Sequence, residues 1–188
     1  MAARLIVPVI QARLGGTRFP GKVMAKFNGL PLLAYQYAAA REAFPGVPVI
    51  LATGDRSPVG SAYGHVIVGP EDDVLARFVK VADELNLSND DIIVRLTADD
   101  PCKLPALLRL AARVVQGGRP YADTNHGRVE GLGAEAFTVA LLREADAHSW
   151  PKEREHVTPY MRRMYGGEPI SLTVDYLEDI ARVEALWA

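Results

Sequence analysis

Short apolar runs alternate with amphipathic stretches along almost the whole chain, and this alternation constrains the fold more than any other feature. The apolar runs predict strands at Leu5–Ile10, Val47–Thr53, His65–Val68, Asp91–Leu96, Tyr121–Thr124, Ala134–Thr138 and Ile170–Val174. The stretches between them predict helices at Leu32–Glu42, Asp72–Leu85, Pro105–Gln116, Val139–Ala147, Glu153–Met164 and Leu177–Leu186. The helix over 72–85 is the clearest, with Val74, Phe78, Val81 and Leu85 on one face. Gly117 and Gly118 stop the helix before them. Strand and helix in alternation argue for an α/β layer fold with a largely parallel sheet. Pro8 is the awkward residue, because proline has no N–H to give to a central strand. Either the first strand begins late or Pro8 faces an unpaired edge.

The 188 residues suit a single domain over 1–188. With 49% hydrophobic and 23% charged residues, the chain can bury an ordinary globular core. A net charge of −2, with acids and bases interspersed, argues against a nucleic-acid partner. No apolar run approaches the roughly 20 residues that would cross a bilayer, so membrane insertion is not expected. The opening MAARLIVPVIQAR reads as a buried strand rather than a signal peptide. A single cysteine, Cys102, excludes a disulfide framework and fits a reducing, cytoplasmic setting. Cys102 is expected to be a structural, part-buried thiol, and Trp150 and Trp187 to be packing residues. His65, His126, His148 and His156 show no metal-ligand spacing with one another or with Cys102.

The stretch Gln11–Lys22, QARLGGTRFPGK, follows the first strand and carries the chemistry. Gly15, Gly16, Pro20 and Gly21 break any helical period. Glycines let backbone N–H groups approach phosphate oxygens, and Arg13, Arg18 and Lys22 add fixed positive charge. Ligands of open α/β sheets sit beyond the carboxyl ends of strands, where this loop lies. The plainer alternative is a solvated basic turn. Gly16–Lys22 also spells G-x-x-x-x-G-K, but Val23 stands where a P-loop needs Ser or Thr for magnesium, so that match is a coincidence of spacing.

Any magnesium must then find its ligands elsewhere. Asp99, in RLTADDP, and Asp175, in SLTVDYLED, each follow a predicted strand. Each has an alternative role. Asp99 or Asp100 could shape the turn before the helix at Pro105, and Asp175 with Glu178 matches a helix cap.

IQARLGGTRFPGKVMAKFNGLPLL resembles the N-terminal signature of the cytidylyltransferases that activate acidic sugars, the neuraminate and ketodeoxyoctonate enzymes among them. Within that group the chain is most similar to the spore-coat polysaccharide (SpsF-type) branch. EDDVLARF (71–78), IVRLTADDP (93–101), EREHVTPYM (153–161) and LTVDYLEDI (172–180) resemble that branch in the same order. The resemblance implies a Rossmann-like, GT-A-like nucleotidyltransferase fold, a three-layer sandwich on a mostly parallel sheet. It implies transfer of CMP from CTP to a hydroxyl of a sugar-acid-like acceptor, with Mg2+, for polysaccharide biosynthesis, and a homodimer. By the same resemblance, Arg13, Gly15, Gly16, Thr17, Arg18 and Lys22 hold the triphosphate, and Asp99 and Asp175 hold the metal. His156 and Arg154 become candidates for the acceptor. On a helix, Arg154 would share a face with Thr158, and His156 with Tyr160. Asp72, Asp73 and Arg77 fall in a block near the nucleotide, without individual roles.

The chain departs from the pattern at several positions. Gly16 replaces a serine, Ala98 a glycine and Gly133 an aspartate, while Asp100 adds a second acid. It is also shorter than the resemblance leads one to expect, before Asp175 and after Trp187. Two other readings stand beside the main one. A glycosyltransferase of related fold would show D-x-D, which is missing around Asp99 and Asp100. A non-catalytic nucleotide-binding subunit would tolerate the Gly16 and Gly133 changes.

Overall fold

The computed structural model describes residues 4–13, 19–54, 63–125, 131–166 and 170. Six strands form the main sheet: β1 (Ile6–Ala12), β4 (Ile50–Thr53), β5 (His65–Val68), β6 (Ile92–Thr97), β7 (Tyr121–Asp123) and β8 (Glu135–Thr138). Their spatial order is β5-β4-β1-β6-β8-β7. The β5, β4, β1 and β6 strands are mutually parallel, and β8 runs antiparallel to both β6 and β7. The sheet is thus mostly parallel, as the strand–helix alternation predicts.

Helices α1 (Leu32–Ala43) and α3 (Pro105–Gln116) cover one face. Helices α2 (Val74–Glu84), α4 (Val139–His148) and α5 (Pro159–Tyr165) cover the other. Each central strand feeds both layers by alternation. Ile10, Ile92, Val94 and Leu96 join the α1/α3 core, while Val7, Val9 and Ile93 join the α2/α4/α5 core. The α2 stripe is as expected: Val74, Phe78 and Val81 are buried and Leu85 packs against them. Asp73 starts that helix by accepting from the Ala76 N–H at 2.9 Å.

Pro8 lies inside β1, in register with Val94 of β6. The carbonyls of Leu5 and Gln11 accept from the β6 side, so alternation turns the Pro8 nitrogen toward β4. The ladder to β4 starts one residue later, at Val9–Ile50. The missing N–H therefore faces a position where pairing has not yet begun.

Several expectations are corrected. The helix expected at Glu153–Met164 is a 3-10 helix, Pro151–His156, followed by the separate α5. Pro159 cannot continue a helix from the preceding turn, and it starts a new one instead. The face-sharing of Arg154 with Thr158, and of His156 with Tyr160, is lost with that helix. A two-stranded hairpin was not expected: β2 (Lys26–Phe27) and β3 (Leu30–Pro31), joined at Asn28 (φ 47°) and Gly29 (φ 86°). The strand expected at Ile170–Val174, apart from Ile170, and the helix at Leu177–Leu186 lie outside the described residues.

Among the described residues, no helix is long and apolar enough to cross a membrane. Cys102 is exposed rather than part-buried. Trp150 is 54% exposed, with the Arg163 guanidinium 4.4 Å from its ring centre, so it is a surface stacking platform rather than a core residue. Trp187 lies outside the described residues.

Candidate active site

From β1 the chain moves outward through β4 to β5, then returns to add β6 on the other side of β1. The strand order thus reverses between β1 and β6, and such a switch point leaves a crevice at the carboxyl ends. A cleft of about 230 Å³ occupies that place. Gln11 on β1 and Arg13 just past it enter the cleft from one side, and Arg95 and Thr97 on β6, with Ala98 and Asp99 just past it, from the other. Lys22, Val23, Val74, Glu155 and His156 complete its lining.

Lys22 reaches the cleft on a 3-10 turn, Lys22–Met24. Gly21 opens the turn with φ 69°, a conformation that favours glycine. Val23 is buried in the α1-side core and anchors the turn. The G-x-x-x-x-G-K spacing is therefore no P-loop: the following α-helix starts only at Leu32, and Val23 is a packing residue. The Lys22 ammonium pairs with the Asp99 carboxylate, and both side chains remain partly exposed. Arg13 lies 3.7 Å from Glu155.

Asp100, beside Asp99, has a different task. It accepts from the Thr97 hydroxyl at 2.5 Å and lies 2.9 Å from the buried Lys103 ammonium. Its carbonyl accepts from Gln36 on α1. Of the two adjacent acids, Asp100 shapes the turn and Asp99 faces the cleft. Lys103 also donates to the Gly133 carbonyl. A Cβ on Gly133 would lie 2.6–2.8 Å from Thr124, so the aspartate expected there from the resemblance has no room.

The α2/α4/α5 face of the sheet carries a row of polar groups that sequence reasoning missed. The Arg95 Nε donates to Gln11 Oε1 at 3.0 Å, and the same guanidinium pairs with Glu135 on β8. Glu135 is buried and also accepts from the Tyr121 hydroxyl at 2.6 Å and from Arg162 on α5 at 2.9 Å. Burial alone would raise the Glu135 pKa. Arg95, Arg162 and the hydrogen bonds from Tyr121 and Thr158 outweigh it and hold the carboxyl below its usual range. Burial beside that carboxylate pushes the Tyr121 phenol well up. The available signal was a charge inside an otherwise apolar strand, Arg95 in IIVRLT and Glu135 in EAFT.

His156 is exposed on the cleft wall, and a strained turn follows it. Val157 has φ 65° and ψ −51°, and the Thr158 N–H donates to the His156 carbonyl at 2.7 Å. This is a γ-turn of the rare hand, at a β-branched residue with no exposure. Arg154 is not among the cleft-lining residues. Its guanidinium contacts Asp73 at 2.6 Å and Asp146 at 2.5 Å, tying the 3-10 helix to α2 and α4. Arg77 is also a clamp. It is buried and donates to the carbonyls of Pro70, Glu71 and Ala12. Gly15, Gly16, Thr17, Arg18 and Asp175 lie outside the described residues. Among the described residues, no group of three or more His, Cys, Asp or Glu is placed to hold a metal.

A family model described as "Cytidylyltransferase" matches residues 7–168. The chain belongs to the cytidylyltransferase family. It is 37% identical to 3-deoxy-manno-octulosonate cytidylyltransferase 2 of Paraburkholderia phytofirmans, over 95% of this chain and 81% of that one. It is 29% identical to the spore coat polysaccharide biosynthesis protein SpsF of Bacillus subtilis, over 97% of this chain and 86% of that one. A cytidylyltransferase structure from Leptospira borgpetersenii superposes with a TM-score of 0.77 at 27% identity, covering 95% of this chain and 84% of that chain. The cytidylyltransferase assignment makes the chain a nucleotidyltransferase of Rossmann-like fold, and the two relatives are named for 3-deoxy-manno-octulosonate and for spore coat polysaccharide biosynthesis.

Proposed function

We propose that this cytidylyltransferase transfers CMP from CTP to a hydroxyl of an acidic sugar, releasing pyrophosphate. The observation that carries the reading is the cleft at the β1/β6 switch point, where the Lys22–Asp99 pair, Arg13 and His156 meet. Such a transfer needs no protein nucleophile. The acceptor oxygen bonds to the α-phosphorus, the bond to the β-phosphate oxygen breaks and the hydroxyl proton is lost. Positioning and charge neutralisation supply the rate.

In this reading Arg13 and Lys22 neutralise the charge that gathers on pyrophosphate, together with the Gly15–Arg18 backbone and the Arg18 guanidinium. Asp99 offers a part-exposed carboxylate at a strand end, the donor type a magnesium ion takes alongside substrate phosphates. Asp99 and Asp175 would hold that ion, which would supply Lewis-acid stabilisation of the α-phosphate. His156 contacts the acceptor. Arg154 takes a positioning part instead, because Asp73 and Asp146 engage its guanidinium. A cytoplasmic location, where CTP is made, and a homodimer belong to the same reading. Light scattering on the purified protein tests the dimer.

The reading is tested by pyrophosphate release from CTP with 3-deoxy-manno-octulosonate and N-acetylneuraminate as acceptors. Release that depends on both CTP and an acid sugar is the expected result. Release with neutral sugars alone would overturn the acceptor class, and none with any acceptor would overturn the activity.

A further inference from the structure

We infer that Arg95 is the residue that receives the carboxylate of the acceptor. The inference rests on the acid-sugar reading above and adds the residue that selects for the acid. A sugar acid brings one negative charge into the cleft, and burying it without a cation is costly. Arg13 and Lys22 belong to the phosphate side. Arg154 is held away from the cleft lining by Asp73 and Asp146. Arg95 remains.

Its place in the sheet separates it from the phosphate side. Lys22 is anchored through Val23 in the α1/α3 core. Arg95 shares its strand face with Ile93, and Gln11 shares its face with Val7 and Val9, all in the α2/α4/α5 core. Arg95 thus lies on the sheet face over which His156 and Glu155 are carried by the 3-10 helix.

The guanidinium is fixed and has donors to spare. Its side chain is only 10% exposed, yet it lines the cleft. Nε is engaged by Gln11 and Nη1 by Glu135, and Nη2 has no partner among the described residues. A guanidinium has five N–H groups in a plane that matches a carboxylate, so a second acid can dock on the open edge. Glu135 is divided between Arg95 and Arg162, which lies 2.9 Å away and also faces Asp123 at 3.9 Å, so the pairing with Glu135 leaves the outer edge of the Arg95 guanidinium for a second acid. Gln11 and Glu135 therefore act as positioning residues for Arg95.

The test uses Arg95→Lys, which keeps a cation on Glu135 but loses the planar fork, and Arg95→Gln/Glu135→Gln, which leaves a neutral buried pair. Thermal melts establish that both fold, and CTP binding is measured by calorimetry without acceptor. Turnover is measured with 3-deoxy-manno-octulosonate, N-acetylneuraminate and their C1 methyl esters. Both variants are expected to bind CTP like the wild type, while KM for the acid rises roughly 10- to 100-fold, the scale of one charge-assisted hydrogen-bonded contact. The preference for acid over ester should collapse. An unchanged KM, a surviving acid preference or a parallel loss of CTP affinity would each overturn the assignment. Wild-type protein that binds CTP but does not discriminate acid from ester overturns the acid-sugar reading, and the Arg95 inference with it. Discrimination that persists in the variants overturns the inference alone.

Discussion

Lys22 and Asp99 are 77 residues apart in the chain and pair with each other in the cleft. In the proposed site Lys22→Ala removes one preorganised donor to the triphosphate. Turnover with CTP should fall roughly 10²- to 10³-fold. The melting temperature should change little, because the lysine is on a partly exposed turn whose anchor is Val23. Steady-state kinetics alongside a thermal melt check both halves, and unchanged kinetics would remove Lys22 from the site. Glu135 should behave in the opposite way. Its pKa is depressed in the folded protein, so between the folded and unfolded values the unfolded chain binds the extra proton. The stabilisation is complete above the ordinary glutamate range and is lost as pH falls through the folded value. Glu135→Gln should cost on the order of 3 kcal/mol at neutral pH, as for a buried pair losing one partner. It should also flatten the acid side of the stability curve. Urea melts between about pH 3 and 7 measure this, and parallel curves for both proteins would contradict it. The sequence exposed the Lys22 loop because glycines and cations crowd together there. It hid Glu135, because its partners Arg95 and Arg162 are brought to it only by the sheet and by α5.

The 3-10 helix Pro151–His156 holds His156 at the cleft by contacts at its far side. Arg154 ties it to α2 and α4, and Glu153 accepts from the Trp150 N–H at 2.9 Å and pairs with Arg163 at 3.4 Å. Arg154→Ala should therefore lower stability by about 1 kcal/mol, since Asp73 and Asp146 are each part-exposed and Asp73 keeps its bond from the Ala76 N–H. His156→Ala should raise the acceptor KM without moving the melting temperature. If Arg154→Ala leaves the melt unchanged and raises KM, the arginine is an acceptor contact rather than a positioning residue. The elements carried by repeated hydrophobic spacing were legible, and α3 begins and ends at the predicted Pro105 and Gln116. The 3-10 helix was legible only in part: Pro159 marks a break in EREHVTPY, but the γ-turn at Val157, a buried valine, leaves no mark in the sequence. The β2/β3 hairpin had its signal in plain view: Asn28–Gly29 is a favoured pair for a turn with two positive φ angles. Strands of two residues were too short to register as an apolar run.

At the scale of the molecule, one sheet with helices on both faces brings β1 and β6 together, and the order of its strands decides where a ligand can enter. The sequence predicted the layers from alternation alone. It could not give the antiparallel insertion of β8 between β6 and β7, because a strand's direction leaves no mark on its own composition. That insertion sets Glu135 beside Arg95, and so links the α5 edge of the molecule to the cleft. In the proposed function this cleft splits CTP between its α- and β-phosphates and hands the nucleotide to an acidic sugar. The most direct measurement follows the two ends of the triphosphate separately, using CTP labelled at the α-phosphate or at the γ-phosphate with 3-deoxy-manno-octulosonate or N-acetylneuraminate. The α label is expected in a CMP-sugar and the γ label in pyrophosphate, with both signals appearing roughly 10²- to 10³-fold more slowly in Lys22→Ala. Label from the γ-phosphate in the sugar, or no sugar-bound label with either acid, would contradict it.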